Sequence, residues 1–402
     1  MQARVKFVPD GWNFSTVENT FNIKNNLRKP ISETERSKIP GKYPYYGPTK
    51  VQGYIGTYEQ DGDYVLIGED GDHFLKYKNM PMTQLISGKC TVNNHAHIIE
   101  ETKEATKEWF YYYFMHRDIF SFLTRQGAGR FKLNKAALEK IPLLVPPLPE
   151  QKKIAKILST WDKAIATTEK LLANSHQQKK ALMQQLLTGK KRLLDENGER
   201  FSGEWEEVKL STLFERITNK NKGQSTNVVT ISGQRGLIRQ EEFFKKSVAS
   251  ETLDGYFLLK KGQFAYNKSY SNGYPMGAIK RLNRYDDAVV TTLYICFENS
   301  NENKADSDFW EHYFESGLLN KGLSQIAHEG GRAHGLLNVK PLDFFSLKVP
   351  VPSFEEQQKI AAVLSTADHE IREIQQKVDS LKQEKKALMQ QLLTGKRRVQ
   401  IN

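Results

Sequence analysis

The sequence predicts an α+β protein: two mixed α/β domains separated by two long antiparallel coiled-coil helices, with an internal pseudo-twofold repeat. Three observations predict it. Residues 150–189 recur at 356–395 with a constant offset of 206 and no gap, and both copies run into the identical string KKALMQQLLTGK. Each copy carries apolar residues in the 4-3 spacing of a coiled coil. The stretch ahead of each copy is rich in Gly, Tyr and polar turns around short alternating apolar runs, which is the pattern of half-buried strands.

Taken in chain order, residues 1–148 form the first domain. Tyr64–Ile67 and Ala96–Ile99 read as strands, and 104–123 reads as a helix with an aromatic face that packs into a core. A first coiled-coil helix follows over 149–189, entered through VPPLPEQ and stopped at Gly189. Its seam is Ile154, Leu158, Trp161, Ile165, Thr168, Leu172, Ser175, Lys179, Leu182 and Leu186, seven of them apolar. A linker, 190–205, leads to the second domain, 206–354, whose candidate elements are VVTISGQRGLIRQ, FAYNKSYSNGYPMGAIKRL, a strand-like VVTTLYICF at 289–297 and the helix-like DSDFWEHYFESGLL. The second helix, 355–395, has the stronger seam: Ile360, Leu364, Ala367, Ile371, Ile374, Val378, Leu381, Lys385, Leu388 and Leu392 include nine apolar residues. A basic tail, 396–402, ends the chain. Two such helices in one polypeptide meet at high effective concentration and should pair with each other. About 35 residues at 1.5 Å each make a rod of roughly 50 Å. The domains repeat more loosely: Gly11-Trp12 through Phe21 matches Glu204-Trp205 through Phe214 at an offset of 193, and the lead-ins GAGRFKLN and GGRAHGLLN correspond.

Composition narrows the function. Lys plus Arg number 59 against 47 Asp plus Glu, a net charge of +12 that favours a polyanionic partner such as nucleic acid. Two cysteines, Cys90 and Cys296, exclude a disulfide framework and a Cys-rich zinc module. The longest apolar stretch, Ile141 to Leu148, is broken by Pro142, Pro146 and Pro147, and the N-terminus lacks the apolar core of a signal peptide, so a cytoplasmic protein is expected. There is no Asn/Asp-Pro-Pro-aromatic tetrapeptide, no phosphate loop (LLTGKKR lacks its first glycine and its hydroxyl), no nuclease cluster and no nucleophile elbow. Hence no catalytic residue, metal or cofactor is expected in this chain. The acidic run GEDGD at 68–72 reads as a solvated turn, and His95 with His97 lacks a third ligand at metal spacing.

Polar loops between the strands carry side chains suited to phosphates and base edges. Arg and Lys match guanine acceptors, and Asn and Gln match adenine. The candidates for DNA binding are Tyr45, Tyr46, Thr49, Lys50, Gln52, Asn93, Asn94 and His95 in the first domain. In the second they are Ser232, Gln234, Arg235, Asn267, Lys268, Ser269, Tyr270 and Tyr274. Arg130 and Arg332, in the matching lead-ins, are candidates for phosphate contacts. The alternative for each is an ordinary turn residue, and the alternative for the whole chain is a coiled-coil scaffold with protein-binding end domains.

The duplicated Pro-rich, EQ-containing opening of each helix, the KKALMQQLLTGK exit, and the segments YYGPTKVQGYI, YVLIGEDG, VNNHAHI and FAYNKSYSNGYPMGAIKR together resemble the specificity subunits of type I restriction-modification systems. The resemblance covers essentially the whole chain. It implies two target-recognition domains, each reading one half of a bipartite, asymmetric site in double-stranded DNA, with the helix pair setting the unread spacer. It also implies two modification subunits bringing S-adenosylmethionine and methyl transfer. Two motor-nuclease restriction subunits needing ATP and Mg2+ would complete a phage-defence complex.

Overall fold

The computed structural model describes residues 7–126, 130–244, 252–327 and 337–401, with backbone alone at Gln126 and Arg130. It divides into two compact units, residues 1–169 with 376–402 and residues 170–375. The division falls inside both long helices, Leu148–Leu186 and Phe354–Leu392, so each unit holds one globular part and a segment of each helix. All the seam positions predicted from the 4-3 spacing are buried or half-buried, whereas off-seam Leu171 is 51% exposed. Each helix is followed by a glycine at φ +68°, Gly189 and Gly395, a conformation that costs a residue without a Cβ little.

In the first unit a four-stranded antiparallel sheet runs in the order Asn22–Ile23, Ala96–Glu100, Tyr64–Gly68, Thr83–Ile86. The helix Lys107–Met115 packs on it through Trp109, Phe110, Tyr113 and Phe114. The second unit repeats the arrangement with Phe214–Ile217, Ile295–Asn299, Phe264–Asn267 and Ala278–Arg281, and with the helix Ser307–Glu315. Each unit also pairs its entering and leaving strands, Asn13–Thr16 with Pro142–Val145 and Glu206–Lys209 with Lys348–Val351. The aromatic helices are shorter than the sequence suggests. The first starts where Thr106 Oγ1 accepts from Trp109 N and ends at Met115, before His116-Arg117-Asp118.

One strand of the sequence reading is in fact two. Residues 289–297 split into Asp287–Val290 and Ile295–Asn299, because Thr291 turns the chain: its Oγ1 accepts from Leu293 N and its carbonyl from Tyr294 N. The halves then serve different sheets, the first pairing with Phe257–Lys260.

Around the repeated framework the units differ. The first adds a sheet in the order Val51–Ile55, Pro40–Tyr46, Lys89–Val92, Gln60–Asp61. The second has two separate antiparallel strand pairs instead, the hairpin Val229–Ser232 with Gly236–Arg239 and the non-consecutive Phe257–Lys260 with Asp287–Val290.

The framework sits on the helix segments through buried polar contacts that recur in both units. Glu150, 1% exposed, accepts from Trp12 Nε1 at 2.9 Å and from two nitrogens of Arg398 at 2.7 and 2.8 Å. Glu356, 0% exposed, accepts likewise from Trp205 Nε1 at 3.0 Å and from Arg192 at 2.5 and 2.7 Å. Gln151 accepts from Thr106 N and donates to Glu104 O, and Gln357 does the same with Asp306 N and Lys304 O. Within the first unit the helix segments run antiparallel, Asp162 meeting Lys385 and Glu169 meeting Lys382. In the second, Lys179 meets Asp368 while Arg192 meets Glu356.

Candidate nucleic-acid interface

In the first unit two candidate segments converge. The parallel pairing of Tyr45 and Tyr46 with Thr91 and Val92 carries the 47–52 turn beside the 93–95 turn, and Asn93 Nδ2 donates to Gln52 Oε1 at 3.0 Å. Asn93 is itself buried, and its Oδ1 accepts from His95 N, so it shapes the turn that leaves Asn94 and His95 exposed. His95 Nδ1 lies 2.8 Å from Asp70 Oδ2. Lys50 and Gln52 are exposed, and Tyr46 and Thr49 are half-buried. Tyr45 is different. It is 2% exposed, and its hydroxyl accepts from Ile31 N and donates to Lys29 O, which makes it a core residue.

The acidic run is not the solvated turn that its composition suggests. Glu69 is 9% exposed and lies among Arg28, Lys132 (3.1 Å) and His97 (3.8 Å). Burial alone would raise its pKa, but the hydrogen bonds and charge of Arg28, with His97 and Lys132 beside it, outweigh that and hold it below the usual carboxylate value. Arg28 also donates to the Asn94 carbonyl at 3.1 Å, so the cluster braces the 93–96 turn. His97 is fully buried with both ring nitrogens engaged, by Asn25 Nδ2 and the Leu133 carbonyl, and burial lowers its pKa.

In the second unit the Ser232–Gly236 turn and the 267–277 loop come together. Gln234, Arg235 and Tyr270 are exposed, Asn267, Lys268 and Ser269 are half-buried, and Ser232 is buried, its Oγ accepting from Arg235 N. Asn267 Oδ1 accepts from Ser269 N, which sets the start of the loop. Tyr274 is half-buried, with its hydroxyl turned inward to Gly233 O and Glu315. The pKa of Lys268 is lowered by burial and then by nearby Arg216. Two cations held together in this way favour an anion such as a phosphate.

Register aligns Lys268 with Glu69. Each follows the equivalent central strand, and each gives its carbonyl to the next lead-in, to Leu337 N and to Leu133 N. One framework position therefore carries opposite charge in the two units. Arg130 lies in the strand Arg130–Lys132, which pairs with Thr124–Gln126, and Arg332 lies outside the described residues. Sequence reasoning missed Arg28, Glu69, Lys132, Arg216, Lys280 and Glu315, whose partners are distant in the chain and leave no local pattern.

Among the described residues no cluster of His, Cys, Asp and Glu is arranged to hold a metal, and no helix is long and apolar enough to cross a membrane.

Comparison with known proteins agrees with this organisation. The family described as the type I restriction modification DNA specificity domain matches twice, over residues 9–174 and 202–383. The MjaVIII type I restriction enzyme specificity subunit of Methanocaldococcus jannaschii is 25% identical over 98% of this chain and 94% of its own length. A Haemophilus influenzae protein named as a type I restriction enzyme specificity subunit is 38% identical, over 34% of each chain. Among solved structures, the type I restriction-modification S subunit from M. genitalium shares the fold at a TM-score of 0.61 and 15% identity, covering 97% of this chain and 98% of that one. A chain from a type I R-M assembly gives 0.51 and 13%, covering 96% and 98%. With its family matched twice over most of its length, the chain belongs to the type I restriction-modification DNA specificity family, as a non-catalytic specificity subunit.

Proposed function

We propose that each globular part reads one half of a bipartite, asymmetric DNA site and that the helix pair sets the number of unread base pairs between the halves. The observation that carries this is the contrast between a repeated framework and unrepeated loops. The strands, the aromatic helix and the Glu150 and Glu356 contacts recur. The exposed reading candidates do not: Lys50, Gln52, Asn94 and His95 on one side, Gln234, Arg235 and Tyr270 on the other. Twin copies of a mount holding different donors and acceptors suit two different short sequences.

The chemistry would come from partners. Two modification subunits would supply S-adenosylmethionine and methyl transfer, and two restriction subunits would supply ATP- and Mg2+-dependent translocation and cleavage. The recurring surfaces of the two units suit two copies of one partner. Replacing residues 206–354 with the corresponding domain of another specificity subunit tests the reading. Methylome sequencing of a host expressing the chimaera with its partners should show one half-site changed and the other retained. An unchanged target, or loss of both halves with the complex intact, would overturn it.

A further inference from the structure

The Tyr274 hydroxyl joins two unrepeated loops to the framework. Its Oη lies 2.7 Å from the Gly233 carbonyl oxygen and 2.5 Å from Glu315 Oε1, and Lys280 Nζ donates to it at 3.1 Å while pairing with Glu315. Gly233 stands in the turn that presents Gln234 and Arg235. Tyr274 lies in the loop that presents Ser269 and Tyr270, and its backbone exchanges hydrogen bonds with Ser271. Glu315 ends the aromatic helix and Lys280 lies in the edge strand Ala278–Arg281, so both belong to the framework.

Shape adds to the hydrogen bonds. A Cβ on Gly233 would lie 2.4 Å from Tyr274 Cε2, so the ring fills the place of a side chain there, and the Lys280 ammonium sits 4.8 Å over that ring. A Cβ on Gly277, at φ +80°, would lie 2.2 Å from the Asn267 carbonyl oxygen, so glycine lets the loop fold back on its own start. Among the described residues the first unit has no copy of this arrangement: its aromatic helix ends in Met115 where the second unit's ends in Glu315.

We propose that Tyr274, held by Glu315 and Lys280, is a positioning residue for DNA reading by the second domain: it locks the Gln234–Arg235 tip against the Ser269–Tyr270 loop without touching a base. This rests on the function proposed above. Base discrimination by side chains on a tight turn needs them held to a fraction of an ångström. A phenol whose single proton is shared between the turn carbonyl and Glu315, while Lys280 donates to its oxygen, supplies that restraint at a tip whose glycine has no side chain to anchor it.

The test uses the full chain purified with its modification subunits, as wild type, Tyr274→Phe and Glu315→Gln, two near-isosteric changes. Binding is measured to the recognised duplex and to duplexes carrying one altered base pair in either half-site, at several salt concentrations, beside hydrogen exchange of the 233–236 amides. We expect discrimination at the half-site read by the second domain to fall roughly tenfold in both variants, the scale of one well-placed base contact. Discrimination at the other half-site and the salt slope should stay unchanged, and exchange at 233–236 should quicken. Unchanged discrimination in both variants, with sequence preference present in the wild type, overturns the positioning role alone. So does an equal loss at both half-sites, which marks general destabilisation. A wild-type complex without sequence preference overturns the proposed function and this inference together.

Discussion

At the scale of single residues, the most consequential groups are the carboxylates buried where helix and framework meet. Glu356 is sealed from water, and its hydrogen-bond partners are the Arg192 guanidinium and the Trp205 indole N–H. A buried ion pair adds little over a good apolar contact, but removing one partner leaves a charge with neither water nor counter-ion. Arg192→Ala should therefore destabilise the second unit by about 3–5 kcal/mol, read as a fall in the urea midpoint. Arg192→Lys should recover only part of the loss, because an ammonium cannot span both carboxylate oxygens. Arg398→Ala, which removes the matching contact to Glu150, should cost less because the Arg398 side chain is 43% exposed. Equal and negligible effects at both arginines would show that these contacts do not hold the framework to the helices. None of this was legible locally: Arg192 and Glu356 are 164 residues apart, and only the repeat shows that Arg398 stands in the same relation to Glu150.

At the scale of elements, the long helices were legible because a 4-3 pattern depends only on near neighbours, and every seam residue it named is buried or half-buried. The strand over 289–297 was misread because a Thr-Thr turn between two apolar runs looks continuous until the Thr291 hydroxyl is seen capping Leu293. Tyr45 and Tyr274 show the limit for the site: loop composition names candidate segments but not which side chains point inward. The aromatic helices carry one difference with a measurable outcome. Tyr112 donates to Asp162 beside Lys385, whereas its counterpart His312 lies 3.0 Å from Ser365 Oγ and 3.7 Å from Asp368. Burial, then Lys179, lowers the pKa of His312 to about 4 against the attraction of Asp368 and Asp308, with Arg281 adding to the lowering. Burial does the same to His73, also to about 4. An unfolded histidine titrates near 6.5, so the fold favours the neutral ring. That contribution is intact above pH 6.5 and is lost as pH falls towards 4, by at most roughly 1.4 kcal/mol per pH unit for each group. Urea midpoints across this range should decline with falling pH, and His312→Gln should flatten the decline. A variant profile superimposable on the wild type would remove His312 as a source.

At the scale of the whole molecule, the proposed spacer function makes helix length a specificity determinant as real as any base contact. The division between the two compact units falls inside the long helices at 169/170 and 375/376. A heptad inserted at both points leaves every contact within each unit in place and keeps the seam in phase. It lengthens each helix by roughly 10 Å, about three base pairs of duplex at 3.4 Å each. A complex of the doubly extended chain with its modification subunits should methylate a target with both half-sites unchanged and a spacer longer by about that amount, at reduced affinity because three base pairs also rotate one half-site by roughly a quarter turn. A heptad in one helix alone offsets the register of the pair, Lys385 against Asp162 or Lys179 against Asp368, and should lower stability without yielding a new spacer. Methylome sequencing of the three strains separates the outcomes. If the double insertion leaves the spacer as it was while the complex assembles, the distance between half-sites is set by something other than these helices.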